Sequence, residues 1–242
     1  MGLRKFAVAI VGLVTVLSAF GQKSYDTQVW ADLQAVYPFA NVWVFDTEAS
    51  LQKVTSGQDP WRGIMVTPTI QRNMTPKIDL MFSMPLYWVQ QSNQLRTYET
   101  RLSPALRYTI TTGGRIESRA IWRYDYRMVK PEGQGMETSN RVRLSAEVFI
   151  PINRKTFFED KQLYAITDVE GFFVMDKNVG ERFANLFKVR VGLGYRLNYQ
   201  YRFQFIYGYQ QSRQTIDQSF DTVDSIWRLR FMYFLGGEAQ TR

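Results

Sequence analysis

The stretch Glu99-Thr100-Arg101-Leu102-Ser103-Pro104-Ala105-Leu106-Arg107-Tyr108-Thr109-Ile110 decides how this chain folds. Thr100, Leu102, Pro104, Leu106, Tyr108 and Ile110 fall on one face of a two-residue repeat, and Glu99, Arg101, Ser103, Ala105, Arg107 and Thr109 fall on the other. The next segment repeats the pattern, with Ile116, Ala120, Trp122, Tyr124 and Tyr126 against Arg115, Glu117, Arg119, Arg123, Asp125 and Arg127. A β-strand has a side-chain period of two, so each segment carries one apolar face and one ionic face. A soluble sheet buries the apolar face and wets the ionic one. A transmembrane barrel turns its apolar face to lipid and its charges to the lumen.

The beginning of the chain bears on that choice. Arg4 and Lys5 precede an apolar run from Phe6 to Leu17, followed by the small residues of Ser18-Ala19-Phe20-Gly21. This is the layout of a secretory signal peptide over residues 1–21, cut near Gly21 or Gln22. The alternative, a membrane anchor, needs roughly 20 apolar residues, and this run is shorter. Charges interrupt every later apolar run. An exported chain that enters a membrane without helices must close its sheet, because an open edge cannot face hydrocarbon.

Composition narrows the chemistry. Cysteine is absent, which excludes lipidated cysteine, disulfides and thiolate metal sites. Histidine is absent too, which removes the Ser-His triad, the imidazole base and the imidazole metal ligand. No catalytic constellation, cofactor or metal site is expected, and the chain reads as a non-enzyme. The net charge is +8 and the pI about 9.6. The arginines stand singly at alternate strand positions among carboxylates, without the clustered basic patch of a nucleic-acid binder, so no nucleic-acid partner is expected.

Eleven strand-like segments follow one another from residue 27 to residue 235, in one domain spanning residues 22–242. Short links (Pro38-Phe39, Asn73-Met74-Thr75, Thr111-Thr112-Gly113, Asn198-Tyr199) alternate with longer polar ones at 54–60, 90–94, 129–137, 175–184 and 211–221. Outer-membrane barrels show this alternation, with their short turns on the periplasmic side. The link at 153–160 is too long for its place in the scheme. Bacterial barrels normally have even strand numbers. The expectation is therefore an all-β, single antiparallel transmembrane barrel of twelve strands, with ten as the second choice. Trp30, Trp61, Trp88, Tyr98, Tyr126, Tyr195 and Trp227 suit aromatic girdles at the membrane interfaces. Gly192, Gly194 and Gly208 fall on the ionic face and mark curvature or close approach, while Pro68, Pro104 and Pro151 predict bulges or early strand ends. The final strand, with Trp227, Leu229, Phe231, Tyr233 and Leu235 on one face, looks like the recognition strand of outer-membrane assembly machinery. An aromatic-rich soluble sandwich would have to bury every one of these faces in a core about 10 Å thick.

From Gln28-Val29-Trp30 to Phe231-Met232-Tyr233-Phe234 the chain resembles the domain-of-unknown-function family numbered 2490. The similar features are Trp30, Trp43 and Glu48 of the opening strands, the run Arg141-Val142-Arg143-Leu144 and the Gly-x-Gly-Tyr-Arg run from Gly192 to Arg196. The resemblance implies an outer-membrane barrel of a Gram-negative, often Bacteroidota, bacterium, and carries no activity onto any residue.

The candidate site is the lumen. The charge network expected there comprises Arg101, Arg107, Arg119, Arg123, Arg143, Arg190, Arg228, Arg230, Glu99, Glu117, Asp125 and Glu147. Arg115, Arg127, Arg141, Lys77, Lys188, Arg196, Arg202, Asp32, Asp46, Glu48 and Asp79 join the same faces, with cations about two to one over anions on this reading. Two functions follow. The first is a structural or non-conducting barrel filled by paired charges. The second is a small passive pore that favours anionic solutes through its arginines. The expected partners are the outer-membrane lipid bilayer, the assembly machinery and, for the pore, small anionic solutes.

Overall fold

The structure, a computed structural model, describes residues 25–56, 60–91, 95–111, 116–156, 159–175, 184–213 and 222–236. The expected signal peptide and its cleavage point lie outside these residues. The described chain forms twelve strands and no helix: β1 (Tyr25–Phe39), β2 (Trp43–Ser56), β3 (Arg62–Asn73), β4 (Ile78–Ser83), β5 (Leu86–Gln90), β6 (Arg96–Thr111), β7 (Glu117–Pro131), β8 (Glu137–Pro151), β9 (Gln162–Val174), β10 (Ala184–Arg196), β11 (Tyr201–Arg213) and β12 (Thr222–Phe234).

Strands β4 and β5 both pair with β3 on one side and β6 on the other, so they are two halves of one stave, parted at Met84-Pro85. The twelve strands thus make eleven staves. With an odd number, the first and last staves run the same way where they meet. β1 accordingly pairs with β12 in parallel, from Tyr25↔Val223 to Val36↔Phe234, and every other pairing is antiparallel. This corrects the expectation of a wholly antiparallel barrel. The seam also places Tyr25 at the long-connection end of the wall and Phe234 at the short-turn end.

Prolines act at one place where the alternation pattern gave no warning. Pro68 and Pro104 sit in their strands without a bulge. The pairing of β6 with β7 skips Ser103 and Pro104 yet resumes in the same register. The break falls instead at Met84-Pro85, where the Pro68 carbonyl accepts from the Met84 amide at 3.0 Å. Pro151 ends β8 as expected. A long link follows it. Asn153 bridges its two ends, accepting from the Leu163 amide at 2.8 Å and donating to the Lys161 carbonyl at 3.0 Å.

The distribution of side chains is inside out relative to a soluble sheet. Leu33, Leu51 and Leu229 are 57%, 58% and 58% exposed, whereas Asp125, Ser103 and Gln162 are fully buried. Strands of 12 to 16 residues make most of the wall. At about 3.3 Å per residue and a tilt near 40°, a 13-residue strand rises about 33 Å, enough for an apolar band of roughly 25 Å. Trp88 and Tyr98 pair across β5 and β6 at one end of the wall, and Tyr195 lies near the other. Trp30 and Trp61 belong elsewhere, since both line the lumen.

Candidate functional site

Alternation aims one face of every stave inward, and the closed wall turns those faces toward one another. Most inward side chains pair across neighbouring strands, and two pairs form along a single strand. Asp125 of β7 accepts from Ser103 of β6 at 2.7 Å, and it meets Arg141 and Arg143 of β8 at 2.8 and 2.9 Å. Glu99 holds Arg101 at 2.5 Å and Arg127 at 2.6 Å. Arg107 reaches Asp79 at 2.8 Å, Arg190 reaches Asp168 at 2.8 Å, and Arg119 pairs with Glu117. Arg143 extends a second contact to Glu170 at 3.3 Å. A buried charge needs a counter-charge and hydrogen bonds to offset its lost hydration, and these pairs supply both.

The seam has its own cluster. Arg228 binds Asp32 and lies 2.7 Å from Glu48; Arg230 lies 3.0 Å from Glu48 and 3.5 Å from Asp32. Ser50 donates to Asp32 at 2.6 Å, and Gln52 donates to Ser50 at 3.1 Å. Four charges from the two ends of the chain thereby tie β12, β1 and β2 together.

Apolar groups also enter the lumen. Tyr164, Ile166 and Ile206 form a small buried cluster with Phe149 against it. The Tyr164 hydroxyl accepts from Gln204 at 3.0 Å, and its ring lies flat over Gly194, where a β-carbon would collide with it. At Gly192 a β-carbon would come within 2.5 Å of the Phe205 carbonyl oxygen. Gly192 and Gly194 therefore mark close approach, as the sequence reading expected, whereas a β-carbon at Gly208 would meet only ordinary contacts, the nearest at 3.4 Å. Arg202 lies over Phe234 at 4.0 Å, Arg119 over Phe149 at 5.2 Å, and Lys188 over Trp30 at 5.4 Å.

All twelve residues of the expected charge network are on the inward faces, and ten of them are ion-paired there. Arg123 and Glu147 are the two without a hydrogen bond or ion pair among the described residues. Arg115 lies outside the described residues, and Lys77 is an exposed turn residue. The sequence reading missed four inward carboxylates: Asp26 of β1, Asp168 and Glu170 of β9, and Asp224 of β12. With them the two signs come close to balance, which corrects the expected two-to-one excess of cations. Strand β9 hid its pair because Tyr164, Ile166 and Phe172 share the inward face with Asp168 and Glu170, so neither face reads as purely polar. The signal that remained was the Asp-x-Glu spacing itself, which puts two carboxylates on one face.

What the wall leaves open is a cavity of about 540 Å³. It is bordered by side chains from both ends of the wall, among them Gln210 and Asp224 at the long-connection end and Arg202 and Met232 at the short-turn end.

The chain belongs to the family described as proteins of unknown function and designated DUF2490, whose model matches residues 27–221. No curated protein matches it. Among solved structures it is similar to the siderophore receptor PirA from Pseudomonas aeruginosa, with 17% identity over 73% of this chain and a TM-score of 0.32. The chain spans 34% of that receptor's length.

Proposed function

We propose that this member of a family without an assigned activity is a non-enzymatic, integral outer-membrane barrel whose charge-filled lumen does not conduct solute through the wall. The outer-membrane placement is supported by the exposed apolar residues on the outward face of the staves, which water would penalise and lipid would accept. On this reading the outward faces contact the bilayer, and β12 is the strand that outer-membrane assembly machinery engages.

The single observation that carries the closed lumen is the pairing of its arginines. Arg101, Arg107, Arg119, Arg127, Arg141, Arg143, Arg190, Arg228 and Arg230 are each held by a carboxylate. Such side chains are fixed along the lumen wall and are not free to serve as a selectivity field. The remaining cavity has the volume of a small-molecule pocket.

A second reading, the small anion-preferring pore, is favoured by one observation. Arg123, Lys188 and Arg202 have no carboxylate partner among the described residues, and they stand at mid-wall, in the long-connection half and at the short-turn end. The test that separates the two is conductance of the refolded protein in a planar bilayer, with the reversal potential measured across a salt gradient. The closed barrel gives no steady openings. Steady openings with anion preference, reduced by Arg123→Gln, would replace it with the pore.

A further inference from the structure

The group least accounted for by this network is Lys188. It projects inward from β10, is 9% exposed, and borders the central cavity. Its ammonium lies 5.4 Å from the Trp30 ring and 5.9 Å from the Phe172 ring, and it makes no hydrogen bond or ion pair among the described residues. Its ladder partner Glu170 is taken by Arg143 at 3.3 Å. Arg190, Arg228 and Arg143 add like charge around it.

Arg123 is the second such group. It stands opposite Arg143 in the β7–β8 ladder, and its buried Nε has no acceptor among the described residues. Glu170 lies in the field of Arg143, Lys188, Arg190 and Arg123 together, so these cations surround one carboxylate at the edge of one cavity. A buried ammonium or guanidinium with unused donors and no counter-ion is heavily disfavoured. Aromatic faces relieve only part of that cost. A doubly charged oxygen anion would relieve it fully, accepting from both an ammonium and a guanidinium.

We propose that Lys188 and Arg123 form the core of a lumenal binding site for a small solute bearing a phosphate or carboxylate group. The site rests on the barrel reading above and names what its cavity holds. Glu147 borders the same cavity, has no hydrogen bond or ion pair among the described residues, and its charge acts on Arg123. It competes with an incoming anion, so its removal strengthens binding.

The test uses the full mature chain refolded in detergent micelles, with sodium phosphate, sodium succinate and sodium chloride as probes at matched ionic strength. The readouts are tryptophan fluorescence, to which Trp30 contributes beside Lys188, and the thermal midpoint. A heat-modifiable band on a gel is required of each sample first. Its absence in the native chain overturns the barrel itself, separately from the site. The expected result is a saturable change with phosphate, succinate or both that chloride does not give, weakened at least tenfold in Lys188→Met and Arg123→Gln. Glu147→Gln tightens it several-fold. Should Lys188→Met fail to fold, Lys188→Arg, which keeps the charge, and Glu147→Gln decide the matter. No saturable change in the native chain, an equal response to chloride, or an affinity indifferent to Arg123 and Glu147 overturns the proposal.

Discussion

Arg228 of the last stave and Glu48 of the second stave meet at 2.7 Å across the first stave, which runs between them. Their contact reaches over a parallel seam, where 180 residues of chain separate the partners. Asp32, on the stave between them, completes the cluster with Arg230. Removing the central guanidinium leaves two buried carboxylates sharing one arginine. Breaking a buried pair from one side costs roughly 3–5 kcal/mol. Arg228→Met is therefore expected to lower the free energy of denaturant unfolding in micelles by that order and to abolish the compact, heat-modifiable band at moderate temperature. Arg123→Gln, which breaks no ion pair, should leave that band in place. Equal behaviour of the two variants would mean that the seam does not depend on its charges.

The Tyr164 ring over Gly194 joins neighbouring staves β9 and β10 through a contact only glycine permits. Overpacking of this kind costs about 1–3 kcal/mol. Gly194→Ala is expected to destabilise the barrel by that amount, read as an earlier melt. Adding Tyr164→Ala removes the collision, so the double variant should lose less than the sum of the single losses, the mark of a direct contact. Strict additivity would show that the wall yields elsewhere.

The architecture was legible because its signal is periodic. Glu99 to Ile110 alternates throughout and Tyr201 to Gln210 does so except at Ile206, and the structure turns Leu106, Phe203 and Phe205 outward and Arg101, Arg107 and Gln204 inward as that alternation demands. Closure was not legible, because it depends on which staves meet after all the others have paired. Eleven segments could be read from the sequence, but a preference for even numbers argued against the count, and the parallel seam is what accommodates it. Trp30 was misplaced for a related reason. It sits on the polar face with Gln28 and Asp32, and its indole nitrogen donates to Gln28 at 2.9 Å, yet an aromatic near a strand end invites a girdle assignment. Partners brought together only by closure, such as Arg228 with Glu48, leave no local trace.

Outside the wall, the turn after β8 carries a pH-sensitive contact. The exposed Glu159 carboxylate accepts from the Thr156 amide at 3.1 Å, the Thr156 hydroxyl at 3.1 Å and the Lys155 amide at 3.2 Å. Hydrogen bonding by the Thr156 amide, the largest influence, holds the carboxyl below its ordinary range. A depressed carboxyl contributes stability above its unfolded value and loses it as pH falls through the folded one. Amide exchange at Lys155 and Thr156 should therefore be slow, relative to intrinsic rates, at neutral pH. It should speed up as pH drops below the usual carboxylate range. Glu159→Gln should show little of that change; an unchanged profile in the variant would assign the protection to the Asn153 bridge instead.

The two faces of the wall make the most direct prediction about the surroundings of this protein. Trp122 and Trp227 point outward, 50% and 42% exposed, whereas Trp30 lines the cavity beneath Lys188 and Arg228. In a bilayer the outward indoles touch acyl chains and the inward one does not. Single-tryptophan variants, made by replacing the remaining tryptophans with phenylalanine, separate these positions. Reconstituted in vesicles of lipid brominated along the chain, the proteins retaining Trp122 or Trp227 should lose much of their emission, with the degree of loss reporting depth. The protein retaining Trp30 should keep its emission in brominated lipid and lose it to a small aqueous quencher only as far as the lumen admits one. Strong quenching of Trp30 by brominated lipid, or none at Trp122 and Trp227, would reverse the faces and with them the membrane reading.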